Sequence, residues 1–96
     1  MQRDEVLERL AQHRGELSDL GVKSLALFGS MVRDESSEKS DVDLLVEFDR
    51  PVGLLKFIRV QRYLTELLES RVDLVTLDAL KPKMREEVLA EAIHAA

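Results

Sequence analysis

The chain has 96 residues, of which 45% are hydrophobic and 34% charged, and its formal net charge is −5. This length and balance predict one globular domain over residues 1–96 and exclude a disordered chain. The lack of cysteine excludes disulfides and thiolate metal sites, and no apolar run approaches the roughly 18 residues of a membrane span. The acidic balance argues against nucleic acid as the main partner. Because the first residues are charged and lack the apolar centre of a signal peptide, we expect a cytoplasmic protein.

The first part of the chain changes from a helical pattern to a strand pattern. Apolar residues recur at helical spacing through residues 3–20, and Gly21 stands where a C-terminal cap is expected. Residues 22–28 predict a strand that ends at a Gly-Ser pair. A short helix or turn is expected from Ser30, and the polar stretch 34–40 predicts a loop.

Residues 41–48, DVDLLVEF, predict a second strand with two different faces. Successive side chains of a strand point to opposite faces of the sheet. One face is apolar and comprises Val42, Leu44, Val46 and Phe48, and the other comprises Asp41, Asp43, Leu45 and Glu47. The pattern therefore separates a core face from a face that carries acids.

Two helices and a third strand follow. Residues 54–69 predict a helix whose apolar residues spread over more than one stripe, and residues 71–76 predict a strand. A last helix is expected from Pro82, with an apolar stripe of Met84, Val88, Leu89 and Ile93. This order predicts an α/β (α+β) fold with a small mixed sheet of three to four strands flanked by helices. A right-handed crossover through helix 54–69 would join the second and third strands.

Asp41 and Asp43 are the sharpest chemical feature. On a strand they point to the same face, about 6.6–6.8 Å apart along it, and they repel each other unless a cation or hydrogen-bond donors compensate. Hard carboxylate oxygens suit magnesium, and two ions about 3.5–4 Å apart support an in-line phosphoryl displacement. The alternative is that Asp41 caps the strand while Asp43 faces solvent.

Asp73 bears on that choice because it interrupts the short apolar strand 71–76. If this strand lies beside strand 41–48, Asp73 can face the same cluster as the other two acids. The alternative is the exposed face of an edge strand. We expect the three acids to share one site.

Gly29, Ser30 and Arg33 form a candidate phosphate site. Glycine lets the backbone approach a ligand closely, and N–H groups at a helix start favour phosphate oxygens. An ordinary strand-to-helix turn would explain the same pair. Arg33 is suited to donate to a phosphate or a carboxylate, and it is equally suited to a surface ion pair with Asp34, Glu35 or Asp41.

Other polar residues carry less information. Ser40 precedes Asp41 and is placed to hold the loop against the strand. His13 and His94 are lone histidines without a second ligand at metal spacing, so they are interpreted as surface or packing residues. Tyr63 is interpreted as packing, and no Ser/His/Asp or Cys/His nucleophile set can be assembled.

Together these motifs resemble the minimal nucleotidyltransferase (MNT) family of the DNA polymerase beta-like superfamily. The family pattern is Gly-Ser, an arginine three residues after the serine, Ser-Asp-x-Asp on the next strand, and a third acid on a later strand. This chain has GSMVR at 29–33, SDVD at 40–43 and VDLV around Asp73. The resemblance covers nearly the whole chain and implies the polymerase beta-like nucleotidyltransferase fold.

The resemblance also implies roles by position. Asp41, Asp43 and Asp73 would be catalytic and would bind metal, with two Mg²⁺ ions holding the triphosphate of ATP and Asp73 helping to activate the acceptor hydroxyl. Gly29 and Ser30 would cradle the β- and γ-phosphates. Arg33 and Ser40 complete the nucleotide-binding pattern.

MNT proteins of this type are commonly encoded beside a HEPN-domain ribonuclease, so the resemblance implies an antitoxin. It would transfer AMP from ATP to a tyrosine hydroxyl of the HEPN toxin and release pyrophosphate, and the added charge would block the toxin's RNA site. Two alternatives stay open. A non-catalytic antitoxin would bind its toxin through the wide apolar surface of helix 54–69, and an aminoglycoside-type transferase would attract a cationic substrate to an acidic cleft. A homo-oligomer or a hetero-oligomer with the toxin fits either kind of antitoxin.

Overall fold

The computed structural model describes residues 2–33 and 41–96. Within these ranges the helices are Arg3–Gln12 (α1), Arg14–Asp19 (α2), Leu54–Leu68 (α3) and Pro82–Glu91 (α4). The strands are Val22–Phe28 (β1), Val42–Phe48 (β2), Val72–Thr76 (β3) and Ile93–His94 (β4). Single turns of 3-10 helix follow β1 at Gly29–Met31 and β3 at Leu77–Ala79. None of these helices is long and apolar enough to cross a membrane, so far as the two described ranges extend.

The four strands form one mixed sheet in the order β3-β2-β1-β4. β1 pairs antiparallel with β2 and with β4, whereas β2 pairs parallel with β3. Parallel neighbours need a long crossover connection, and α3 supplies it between β2 and β3. The predicted mixed sheet, with strands 41–48 and 71–76 joined through helix 54–69, is confirmed.

One face of the sheet forms the core against the helices. On β2 the side chains of Val42, Leu44 and Val46 are buried, whereas those of Leu45 and Glu47 are not. This is the alternation predicted for strand 41–48. The helices close the core with fully buried side chains from Val6, Leu10, Leu17, Val60, Leu64 and Leu68. Each such burial contributes about 1.5–3 kcal/mol before the entropy of folding is counted.

The single helix predicted over residues 3–20 was wrong, because the chain breaks at His13. The Nδ1 of His13 lies 2.8 Å from the carbonyl oxygen of Arg9, the group that its own amide would bond in a continuous helix. The His13 amide bonds Leu10 instead, at 3.2 Å. The predicted cap at Gly21 is confirmed, with φ +90° and a 2.9 Å bond from its amide to Ser18.

The predicted apolar stripe on the last helix was also wrong. α4 ends at Glu91, and Ile93 leaves the helix to pair with Leu27 of β1. Of the other stripe residues only Val88 is buried, while Met84 and Leu89 are 47% and 56% exposed. The backbone explains the difference, because the edge of β1 opposite β2 offers unpaired N–H and C=O groups and the C-terminal residues take them. Ala95 and Ala96 extend that pairing through hydrogen bonds with Leu25.

α3 buries one stripe and exposes its first turn. Val60, Leu64 and Leu68 recur at four-residue spacing and are fully buried. Tyr63 packs against this core, as predicted, and its hydroxyl donates to Glu16. Burial and that hydrogen bond raise the pKa of Tyr63 to about 12.

The contrast along α3 gives a direct test of the core. We expect Leu64→Ala to lower the free energy of unfolding by about 2–5 kcal/mol, since it leaves a cavity at a fully buried position. Leu55→Ala is the matched control, because Leu55 is 83% exposed on the same helix, and it should change stability by no more than about 0.5 kcal/mol. Urea unfolding of both variants measures the difference, and equal losses would contradict this packing.

Candidate functional site

Two of the predicted acids lie side by side on neighbouring strands. Asp43 of β2 and Asp73 of β3 are direct partners in the parallel register, and partners on adjacent strands project from the same face. Asp73 therefore lies beside strand 41–48, as expected. β3 is also an edge strand and Asp73 is exposed. The two alternatives for Asp73 are therefore both true: it lies on an exposed edge strand, and it shares a face with Asp43.

Asp41 stands immediately before this pair. β2 begins at Val42, one residue later than predicted, so Asp41 precedes the strand rather than opening it. Its side chain is exposed, and its Oδ2 lies 4.0 Å from Nε of Arg71. The three acids thus gather where β2 and β3 begin.

The environment of Asp43 disfavours its negative charge. Burial raises the pKa of this carboxyl above its ordinary value, and the nearby charges of Asp73 and Asp41 raise it further. The positive charge of Arg33 acts in the opposite direction and the negative charge of Glu91 adds to the rise. A cation bound beside Asp43 would therefore relieve the unfavourable electrostatics of this carboxyl.

Gly29 brings the backbone after β1 against Asp43. Its φ is +83°, a conformation that L side chains rarely adopt. A Cβ built there would lie 3.0 Å from Cγ of Asp43 and closer still to Oδ2. Ser30 follows in the 3-10 turn. Gly29 of the predicted Gly-Ser pair is therefore adjacent to Asp43, and a side chain at position 29 would displace that carboxylate.

Glu91 is a member of this site that sequence reasoning missed. Its Oε1 accepts a 2.9 Å hydrogen bond from the amide of Gly29. Nη1 of Arg33 donates to both of its carboxylate oxygens, at 3.2 Å and 2.9 Å. The hydrogen bond from the Gly29 amide lowers the pKa of Glu91, and the hydrogen bond and charge of Arg33 lower it further, although partial burial acts in the opposite direction. Nothing in the motif spacing pointed to a residue at the end of the last helix.

Some predictions fall outside this description. Ser40 and the loop 34–40 lie beyond the described residues, as do two of the acids first considered as partners for Arg33. His94 is exposed on β4, and His13 contacts a backbone carbonyl. Both histidines agree with their interpretation as surface or packing residues.

The three acids suit a magnesium ion whose coordination shell is completed by the substrate. In residues 2–33 and 41–96 no three acidic or imidazole side chains converge as a preformed ligand cage. Magnesium does not need one, because it keeps several waters and usually takes one or two carboxylates together with substrate phosphates. Asp41, Asp43 and Asp73 supply hard oxygen donors of that kind, next to backbone that approaches closely at Gly29.

An open groove of about 830 Å³ continues the acid-bearing face of the sheet. Leu45 and Glu47, which alternate with the buried residues of β2, line it together with Ser24 and Ala26 of β1. Leu77 and Leu89 are also among its lining residues. Asp41, Asp43 and Asp73 are not among the residues that line this groove, so it lies further along the sheet than the three acids. Its volume is large enough for a nucleoside or for a segment of a partner protein.

Comparison with known proteins places these features in context. The sequence matches the model of the nucleotidyltransferase domain over residues 8–94. Protein adenylyltransferase MntA of Thermococcus cleftensis is 44% identical over 92 residues, covering 95% of this chain and 93% of its own length. A solved structure named as a candidate minimal nucleotidyltransferase superposes with a TM-score of 0.83 at 38% identity, covering 97% of this chain and 95% of that one.

A more distant structure shares the fold. It is a complex of a tri-AMPylated Shewanella oneidensis HEPN toxin with an MNT antitoxin, and the matching chain has a TM-score of 0.68 at 19% identity. The match covers 95% of the present chain and 71% of that one. At this identity the likeness extends to the fold alone.

The close approach at Gly29 can be tested by adding a single carbon. Gly29→Ala should lower the free energy of unfolding by about 1–3 kcal/mol, because the left-handed backbone is strained for alanine and the new Cβ meets Asp43. Gly15→Ala is the control: a Cβ there meets nothing within 4 Å, and in helix α2 alanine should raise stability by up to about 1 kcal/mol. Similar urea-unfolding midpoints for the two variants would contradict the geometry at Gly29.

Proposed function

The chain belongs to the nucleotidyltransferase domain family, and from that premise we propose that it transfers AMP from ATP to a tyrosine hydroxyl of a HEPN-domain ribonuclease toxin. It would thereby act as the antitoxin of that toxin, in the cytoplasm. The observation that carries the proposal is the register that sets Asp43 beside Asp73, with Asp41 and the Gly29 turn against them. The relative at 44% identity is named a protein adenylyltransferase, which supports a protein as the acceptor.

Asp41, Asp43 and Asp73 are the proposed metal ligands. Two Mg²⁺ ions bound there would neutralise charge on the triphosphate and on the oxygens that attack and leave. The raised pKa of Asp43 supports this assignment, since its causes are burial and the charges of the other two acids. Gly29 and Ser30 are proposed to hold the β- and γ-phosphates, together with Arg33 and with Ser40, whose role rests on the motif.

The proposed reaction is a single displacement at the α-phosphorus of ATP. The tyrosine oxygen forms a bond to that phosphorus while the bond to the oxygen bridging the α- and β-phosphates breaks, and pyrophosphate leaves. The hydroxyl proton passes to the carboxylate of Asp73. Asp73 suits this role because it is exposed on the edge strand, where an acceptor can approach from solvent.

The charge of the chain fits a toxin that binds RNA. An RNA-binding surface is basic, and this chain carries a net charge of −5. Attachment of AMP adds a phosphodiester charge to the toxin, which repels RNA from the modified surface. Charge attraction and chemical modification would then act on the same partner.

Neutralisation by binding alone is a second candidate, which the start of α3 favours. Leu54 and Leu55 are 73% and 83% exposed, and Ile58 is 43% exposed. Adjacent exposed apolar side chains on one helix often mark a protein interface. Such a surface serves a catalytic antitoxin as well, so loss of catalysis with retained binding separates the two candidates.

The catalytic proposal predicts a mass change in the toxin. Incubation with ATP, Mg²⁺ and a HEPN-domain toxin that binds this chain should add AMP to a tyrosine of the toxin, as read by intact-protein and peptide mass spectrometry. Asp41→Asn with Asp43→Asn should abolish the addition, because the proposed metal ligands are lost. The double variant should keep or gain thermal stability, since two repelling charges are removed.

Two outcomes would count against this prediction. An unmodified toxin, under conditions where the two proteins bind, would exclude protein AMP transfer. A double variant that modifies nothing and still neutralises the toxin would favour the binding candidate.

A further inference from the structure

The end of α4 brings a carboxylate onto two groups that are proposed to meet phosphate. Glu91 is the last residue of that helix, 62 positions after Gly29, and it accepts hydrogen bonds from the Gly29 amide and from Arg33. Both donors belong to the Gly-Ser motif and its arginine, whereas Glu91 belongs to no motif. The contact therefore links two distant parts of the sequence at the site.

Two elements determine the position of Glu91: the β4 pairing that follows it and the end of α4. β4 pairs with β1 so that Ile93 lies opposite Leu27 and His94 lies opposite Ala26. Continued by two residues, the same register sets Glu91 opposite Gly29, and the final bond of α4, from the Ala92 amide to Val88, fixes the helix just before it. The position of the carboxylate thus follows from backbone pairing.

The ion pair contributes little to stability. The side chains of Arg33 and Glu91 are 48% and 26% exposed, and partly exposed pairs are screened by solvent. Both contacts nevertheless run from one nitrogen, Nη1 of Arg33, to the two carboxylate oxygens, so they hold that nitrogen at Glu91. A second contact holds the same turn, since Nη1 of Arg3 donates to the carbonyl of Val32 at 3.2 Å.

Arg33 has other negative charges within reach of its field. Its charge acts on Asp43, which lies among Asp41 and Asp73. A guanidinium drawn toward those acids would compete with a metal ion for them. Glu91 supplies a carboxylate outside the three-acid set: it meets Gly29 at the backbone amide, whereas Asp43 occupies the space that a Cβ of Gly29 would take.

We propose that Glu91 is a positioning residue for nucleotide binding: it holds the Gly29 turn and keeps the Arg33 guanidinium directed at the triphosphate and away from the acids that bind metal. This inference rests on the proposed function and extends it to a residue outside the motif. The opposite role, competition with ATP, makes a different prediction. A Glu91 that merely occupied the phosphate donors would compete with ATP, and its removal would tighten binding.

The test measures binding of a non-hydrolysable ATP analogue by calorimetry over a range of Mg²⁺ concentrations, alongside AMP transfer by the same variants. Glu91→Ala should weaken analogue binding about tenfold or more, since charge-assisted hydrogen bonds are lost, and it should raise the Mg²⁺ concentration needed for half-maximal binding. Glu91→Gln keeps an acceptor for the Gly29 amide, so its affinity for the analogue should lie between those of Glu91→Ala and the unaltered chain. Glu87→Ala, at an exposed position one turn earlier on α4, should bind like the unaltered chain.

A double-mutant cycle separates positioning from general support of the fold. Arg33→Ala with Glu91→Ala should lose less binding than the sum of the two single losses, because part of the Glu91 effect passes through Arg33 and part through the Gly29 amide. Additive losses, an unchanged Mg²⁺ requirement, or tighter binding by Glu91→Ala would each overturn the proposal. Normal analogue binding and AMP transfer by the unaltered chain, with no effect at Glu91, would overturn this inference alone. Failure of the unaltered chain to bind the analogue would instead overturn the proposed function and this inference with it.

Discussion

The parallel pairing of β2 with β3 is the constraint on which the site depends. It sets Asp43 directly beside Asp73, an arrangement of like charges that disfavours the pairing by itself. The other face of the same strands compensates, because Val42 and Leu44 of β2 and Leu74 of β3 are buried there. Apolar burial on one face thus holds acids together on the other, and the unfavourable electrostatics favour a cation at the acid-bearing face.

The second constraint is the closure of the Gly29 turn by the C-terminal residues. β4 covers the free edge of β1, and this pairing sets Glu91 against the Gly29 amide. Asp43 occupies the space that a Cβ of Gly29 would take, so the turn contacts one of the three acids as well as Glu91. The left-handed backbone of Gly29 is what allows both contacts.

Local sequence patterns correctly predicted the features that depend on residues close together in the chain. The two faces of strand 41–48 follow from strict alternation, and the cap at Gly21 follows from local backbone preference. What failed depends on contacts that local patterns do not record. The break in the first helix lies at His13, where the imidazole takes the place of the backbone amide at the carbonyl of Arg9. β4 has two residues, too few to show a period, and Glu91 reaches Gly29 through the end of α4 and the pairing that follows it. The neighbourhood of Asp73 and Asp43 was predicted only on condition that their strands paired.

The central claim is that the acids at positions 41, 43 and 73 form one metal-nucleotide site, and its most direct test is paramagnetic NMR. Mn²⁺ replaces Mg²⁺ at hard oxygen ligands and broadens the amide signals nearest to it. With a non-hydrolysable ATP analogue present, substoichiometric Mn²⁺ should first broaden the signals of Val42, Asp43, Asp73 and Gly29, and Asp43→Asn should remove that effect. Broadening centred on the acids that line the groove, Glu47, Asp49 and Asp78, with Asp43 and Asp73 unaffected, would contradict the claim.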